Sequence, residues 1–409
     1  MGATAGNAVV PHIERGTPAF RRTNLAVFAA GFSTFALLYC VQPLLPEFSR
    51  EFGVGAAQSS LAVSLTTATL AVSMLAIGSV SEAVGRKPVM VASLFAAALL
   101  TVASALVPGW RSFLVFRAIE GIAFAGLPAI AMAYLSEEMG RGSIGLAMGL
   151  YVGGTGLGGM AGRLLTAAIT DLVSWRAAVG TIGVLGVVAA FIFWRSLPAS
   201  RHFHPRRLAV RELAGSFIGH LADPGLVALF SEGFLVMGSF VTIYNYIGYR
   251  LLAPPYSLSQ TAVGAIFIVY LVGIGSSAWL GDLGGRIGRG RLLWVTIAIM
   301  IAGVAATFAR PIATIVAGIA LLTFGFFAAH SIVSSWVGLR AHHARAQASS
   351  LYLFFYYTGS AVAGSIGGFF WSSHGWRGVA TFVSALLCVA LVLALWLARL
   401  QPRPAPAVR

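Results

Sequence analysis

Runs of apolar residues alternate with short polar breaks from residue 24 to residue 398. Each run is about 20 residues or a little longer, enough for a helix to cross a ~30 Å hydrocarbon core. Twelve occur, at about 24–45, 57–80, 88–107, 111–134, 143–169, 176–198, 224–251, 259–281, 291–308, 311–337, 345–371 and 376–398. Most breaks are short, so neighbouring helices run antiparallel. The longest, 199–223, lies at the midpoint and holds Arg201, His202, His204, Arg206, Arg207, Arg211 and Glu212. The pattern predicts an all-α membrane protein of twelve transmembrane helices. They form two pseudo-symmetric six-helix bundles, 1–198 and 224–409, joined by a cytoplasmic linker at 199–223.

Composition removes the competing classes. The chain is 58% hydrophobic and 10% charged, against about 25% charged in a soluble domain. Its net charge of +15 does not point to nucleic acid, because the cations are spread singly over many loops. Cys40 and Cys388 fall in apolar runs near opposite ends and imply no disulfide framework. Residues 1–22 lack the apolar core of a signal peptide, so the first run is expected to be a retained span. With the N-terminus in the cytoplasm, that side receives 19 of the 27 Lys and Arg residues. The far side receives Arg50, Arg111, Arg176, Arg250, Arg310 and Arg377, while Arg117 and Arg163 fall within spans. The positive-inside rule then places both termini in the cytoplasm.

The two halves repeat each other. Leu150-Tyr151 before Trp175-Arg176 returns as Leu351-Tyr352 before Trp376-Arg377, and Gly158 falls on Gly359, each at a shift of 201. The break between the second and third runs reads Gly78-Ser-Val-Ser-Glu82-Ala-Val-Gly85-Arg86-Lys87-Pro88, and returns as Gly281-Asp282 through Gly288-Arg289. Gly85 permits a turn that other residues resist, and Pro88 suits the first turn of the next helix. Glu82 opposes the dipole of its own helix and needs an outside partner. Arg141, or the start of the eleventh span near Gln347, is expected to supply it.

Gly78, Glu82, Gly85, Arg86 and Lys87 fit the pattern G-x-x-x-[D/E]-x-x-G-R-K, which resembles the signature loop of the major facilitator superfamily. Arg117-Ala-Ile-Glu120-Gly121 looks like that family's R-x-x-x-G pattern in the fourth helix, tied to proton coupling. Gly145, Gly154, Gly158 and Gly162 stand where its antiporter motif has glycines, with Gly159 in place of the motif's proline and Arg163 in place of its last glycine. Tyr39 to Pro46 resembles the opening helix of bacterial efflux members. The resemblance implies a monomeric transporter in the bacterial inner membrane, working without a cofactor on a small solute and protons. The signature loop, with Arg141, would serve as a gate.

Charges inside the bilayer are costly and so mark function or a lock. Arg117 and Glu120 are one turn apart in the fourth span, and Arg163 is at similar depth in the fifth, so Glu120 can bridge to either arginine. A permanent ion pair and a functional role are both open for Glu120 and Arg163. Glu232 lies ~12 Å into the seventh span and His330 ~10 Å into the tenth, both from the cytoplasmic side. Nothing within a helical turn of Glu232 in sequence neutralises it, which makes it the leading proton carrier. For His330 the plain alternative is a bond to a backbone carbonyl. Tyr244 and Asn245 place polar groups on the seventh span. With Tyr39, Gln42 and Arg163 they are the expected substrate path, whereas most other aromatics suit packing or an interfacial belt.

The fifth-span glycines also suit close helix packing. No phosphate-binding loop of the G-x-x-x-x-G-K-[S/T] kind is present, and no His/Asp cluster at metal spacing. A secondary transporter is therefore expected rather than an enzyme or a sensor, with proton-coupled export ahead of uptake.

Overall fold

A computed structural model describes residues 12–140, 142–203 and 210–400. Spanning helices follow the apolar runs closely: α1 Pro18–Phe52, α2 Ala56–Val84, α3 Arg86–Leu106, α4 Trp110–Glu138, α5 Ile144–Leu172 and α6 Trp175–Ser196 in the first half. In the second half α7 is Pro224–Leu252, α8 Gln260–Ile287, α9 Arg289–Ala306 and α10 Ile312–Arg340. The last stretch, Arg345–Arg399, is helical for 55 residues except at Gly375, with φ 57° and ψ −143°. There the chain doubles back. Phe370 and Phe382 stack with ring centroids 4.7 Å apart, whereas a straight helix would hold them ~18 Å apart. The arms 345–374 and 376–399 are α11 and α12, which completes twelve spans.

Local sequence explains the starts, turns and breaks. Thr17 accepts from the Phe20 amide at 3.1 Å, and Pro18 occupies the first helical position. α1 tightens into a short 3-10 turn at Gln42–Leu44, beside Pro43 and Pro46, because proline removes an amide from the ladder. α4 breaks at residues 125–127 before Pro128 for the same reason. Gly85 has φ 115° and Gly288 φ 101°. The signature loop and its repeat thus share a positive-φ turn open chiefly to glycine.

The repeat also extends to packing. α5 seats on α1, and α11 on α7, through glycine. A methyl group at Gly158 would lie 2.0 Å from the Phe32 carbonyl oxygen, and one at Gly359 would lie 2.1 Å from that of Phe234. Gly154 and Gly162 press on Phe28 and Ala36 one turn to either side, while Gly145 faces open space. Three of the four glycines therefore serve close packing of the small-xxx-small kind.

Hydrogen bonds between described residues of the two halves all lie toward one end. Tyr249 donates to the Leu45 carbonyl at 2.8 Å and pairs with Ser49 at 2.6 Å. Gln260 Nε2 donates to the Pro43 carbonyl. Asp171 accepts from the amides of Gln260 (3.1 Å) and Thr261 (2.6 Å) and from the Thr261 hydroxyl (2.5 Å). Gly368 presses on Ala57 at the same end. This end carries Arg50, Arg176 and Arg250, opposite the signature loop. The halves are closed there.

Candidate functional site: a buried guanidinium, a tyrosine cluster and an unpaired carboxylate

Arg163 is 2% exposed. Its Nε donates to Gln42 Oε1 at 2.6 Å and its Nη1 to the Gly159 carbonyl at 2.5 Å. Gln42 passes the contact across the halves, its Nε2 donating to Asn245 Oδ1 at 2.8 Å. Three rings surround the guanidinium, with its central carbon 4.3 Å from the Tyr39 centroid, 5.0 Å from Phe267 and 5.1 Å from Tyr270. Tyr244 extends the cluster by stacking on Phe267 at 5.0 Å, its hydroxyl bonded to Thr323 at 2.7 Å. The five residues expected to form the substrate path therefore meet: Tyr39, Gln42, Arg163, Tyr244 and Asn245. Arg163 does not reach Glu120, and no carboxylate lies within ion-pair distance of it among the described residues.

Glu120 is taken by Arg117. The two are bonded to each other with both side chains fully buried. Arg117 also donates from Nε to the Ala62 carbonyl at 2.9 Å and from Nη2 to the Leu38 carbonyl at 2.8 Å. One guanidinium thus ties α4 to α2 and α1. Similar depth left two arginines open as partners, and the i, i+3 neighbour on the same face takes the carboxylate.

Glu232 and His330 meet as expected from their depths, in a tight pocket shared with Tyr352 and Tyr356. Neither carboxylate oxygen of Glu232 has a hydrogen-bond partner among the described residues, and the residue is wholly buried. His330 bonds through Nδ1 to the Tyr352 hydroxyl at 2.8 Å rather than to a backbone carbonyl. Tyr356 joins this pocket to the guanidinium cluster. Its ring lies 4.8 Å from His330 and 6.4 Å from Phe326, which stacks on Phe240 beside Tyr244 and Tyr270 of the cluster.

Two cluster members escaped the sequence reading, Phe267 and Tyr270. They stand three apart in the run TAVGAIFIVY, which is apolar all round and gives no sign of which face turns inward. Tyr352 and Tyr356, in the aromatic-rich run of the eleventh span, read from sequence as packing or belt residues. A wide groove of about 830 Å³, lined by Phe234, Phe355, Val389, Val392 and Trp396, opens instead on the apolar surface between α7, α11 and α12.

At the signature loop, Gly78 faces open space and Gly85 makes the turn. Arg86 bonds Glu137 at 2.8 Å and Ser81 at 2.6 Å, and Lys87 donates to the Leu197 carbonyl. The loop is thereby fastened to the ends of α4 and α6. In this state Glu82 pairs within its own loop, 4.0 Å from Arg86, rather than with the start of α11 near Gln347. The reason is the closure at the opposite end, where the hydrogen bonds between the halves lie. Arg141 lies outside the described residues.

The sequence pattern of the Major Facilitator Superfamily matches residues 27–364 and 256–409. The chain is 52% identical over 393 residues to the uncharacterized MFS-type transporter YybF of Bacillus subtilis strain 168, covering 96% of this chain and 97% of that one. It is 47% identical over 381 residues to the inner membrane transport protein YnfM of Escherichia coli strain K12, covering 93% and 91%. A crystal structure of a bacterial homolog to the human lysosomal transporter Spinster, inward-facing and unoccupied, matches with a TM-score of 0.77 at 16% identity. The match covers 94% of this chain and 98% of that one, and is a likeness of fold.

Proposed function

The chain belongs to the major facilitator superfamily as a multi-pass membrane transporter, and we propose that it moves a small solute by alternating access, in step with protons carried by Glu232. The observation behind this reading is a fully buried carboxylate with no hydrogen bond to either oxygen among the described residues, beside an imidazole and two tyrosines. An ionised carboxylate left unpaired in such surroundings is costly. Glu232 therefore has reason to take a proton while its site is dry and to give it up when the site opens to water. His330 and Tyr352 form a short relay beside it. In this reading the protein is a monomer of the bacterial inner membrane, with both termini cytoplasmic and the structure in the inward-facing state.

Two directions of coupling remain in this proposal. Export against protons rests on the resemblance of the fifth-span glycines to the family's antiporter motif, from which this chain departs at Gly159 and Arg163. Uptake with protons is favoured by one observation, the buried Arg163 cation with no carboxylate partner among the described residues. A solute held there by negative charge would attract the proton rather than compete with it.

The test is solute-driven proton movement in proteoliposomes, with a trapped pH dye, comparing wild type with Glu232→Gln. At least one solute of a broad panel is expected to move protons in wild type. The same solute should still raise the unfolding temperature of Glu232→Gln while moving no protons. Proton movement at the wild-type rate in Glu232→Gln would remove Glu232 from the mechanism.

A further inference from the structure

We propose that Arg163 anchors an anionic substrate, a small monocarboxylate with an apolar or aromatic body, held among Tyr39, Gln42 and Tyr270. This rests on the transporter reading above and names its class of solute. A guanidinium presents five N–H donors, and among the described residues Nη2 donates to none. Among the described residues two further buried groups are left without partners beside the guanidinium, the hydroxyls of Tyr39 and Tyr270, while the unpartnered amide nitrogen of Asn245 turns toward Gly364, where a methyl would lie 3.1 Å from it. All three residues are more than nine-tenths buried. Buried polar groups in native proteins are almost always hydrogen-bonded, so a cluster of unused donors around an unneutralised cation is a site lacking its acceptor.

The chemistry of that acceptor is constrained on three counts. It must accept several hydrogen bonds at once and carry negative charge, which a carboxylate does. It carries one charge, because the cluster holds a single cation and a second buried negative charge would go uncompensated. The rest of the molecule meets Phe267 and Tyr244, whose rings stack at 5.0 Å, which suits a flat apolar body. The rings that hold the guanidinium by cation–π contact keep it in place when the site is empty.

Unfolding of the full-length protein in detergent tests the site, with benzoate, phenylacetate and indole-3-acetate as probes. Benzamide and benzylamine serve as the uncharged and cationic counterparts. At least one of the three carboxylates, at millimolar concentration, is expected to raise the unfolding temperature, and neither counterpart is. Arg163→Gln should weaken carboxylate binding by about tenfold or more. Tyr270→Phe, which removes one hydroxyl and keeps the ring, should weaken it about fivefold and reads the site should Arg163→Gln fail to fold. Stabilisation by none of the three carboxylates overturns the proposal, as does equal stabilisation by benzamide or unchanged affinity in a folded Arg163→Gln variant. Flux in proteoliposomes separates the two readings. A carboxylate that binds through Arg163 but never crosses keeps the anion site and removes transport. An amine that crosses equally well in Arg163→Gln keeps transport and removes the anion site.

Discussion

Asp171, at the last turn of α5, caps the first turn of α8 in the opposite half by accepting from the Thr261 amide at 2.6 Å and the Thr261 hydroxyl at 2.5 Å. A carboxylate at a helix N-terminus satisfies orphan amides and complements the dipole. This is the kind of partnership the sequence suggested for Glu82, formed at the other end of the molecule. Asp171 is exposed, so the contact contributes about 1 kcal/mol. Asp171→Ala should shift the population toward the state open at this end by about fivefold. Spin labels at Gln58 and Ser373, in a background with Cys388→Ser, would report it. An unchanged distance distribution would show that the cap does not hold the halves.

The signature loop should respond unequally to its two carboxylates. Arg86 reaches Glu137 at 2.8 Å but Glu82 only at 4.0 Å. Glu137→Gln is therefore expected to loosen the fastening of the α2–α3 loop, seen as faster backbone hydrogen exchange at residues 82–88. Glu82→Gln should leave that exchange near wild type in the state with the halves closed at the opposite end. Equal effects would place Glu82 in the fastening.

Arg117 and Glu120 are expected to matter for folding. Breaking a buried pair strands a charge and costs about 3–5 kcal/mol. Glu120→Gln should lower the unfolding temperature and the yield, and the double variant Arg117→Met with Glu120→Leu should recover part of the loss. Proton coupling per folded molecule should survive in the double variant. Its loss, with the yield restored, would return this pair to the transport machinery.

Gly158→Ala and Gly359→Ala should each destabilise the protein by about 1–3 kcal/mol, the usual penalty of overpacking. The added methyl would lie within 2.1 Å of a backbone oxygen that cannot step aside. Gly145→Ala, on the same helix with nothing within 4 Å, is expected to be neutral. Similar unfolding temperatures for all three would contradict the close seating.

The spans and their number were legible because lipid demands an unbroken apolar run for every crossing. Glu232 was legible for the same reason, as a charge inside such a run. The partners of Arg163 and Glu120 were not. Depth along a helix is set by counting residues, but facing depends on rotation about the axis and on the tilt of neighbours. Phe267 and Tyr270 lacked any polar contrast to reveal their inward face. Asp171 sits at a span's end, where a polar residue is ordinary, and nothing in its neighbourhood announced a partner some ninety residues away.

Because Gly158 rests on the Phe32 carbonyl and Gly359 on that of Phe234, no layer of side chains separates the paired helices to let them slide. Each pair behaves as a stiff beam. Rearrangement must then be borne where side chains do intervene, at Gln42 with Asn245 and where Arg163 sits against Phe267 and Tyr270. The guanidinium of Arg163 is gripped by surfaces from both beams, so it becomes part of the bearing between them.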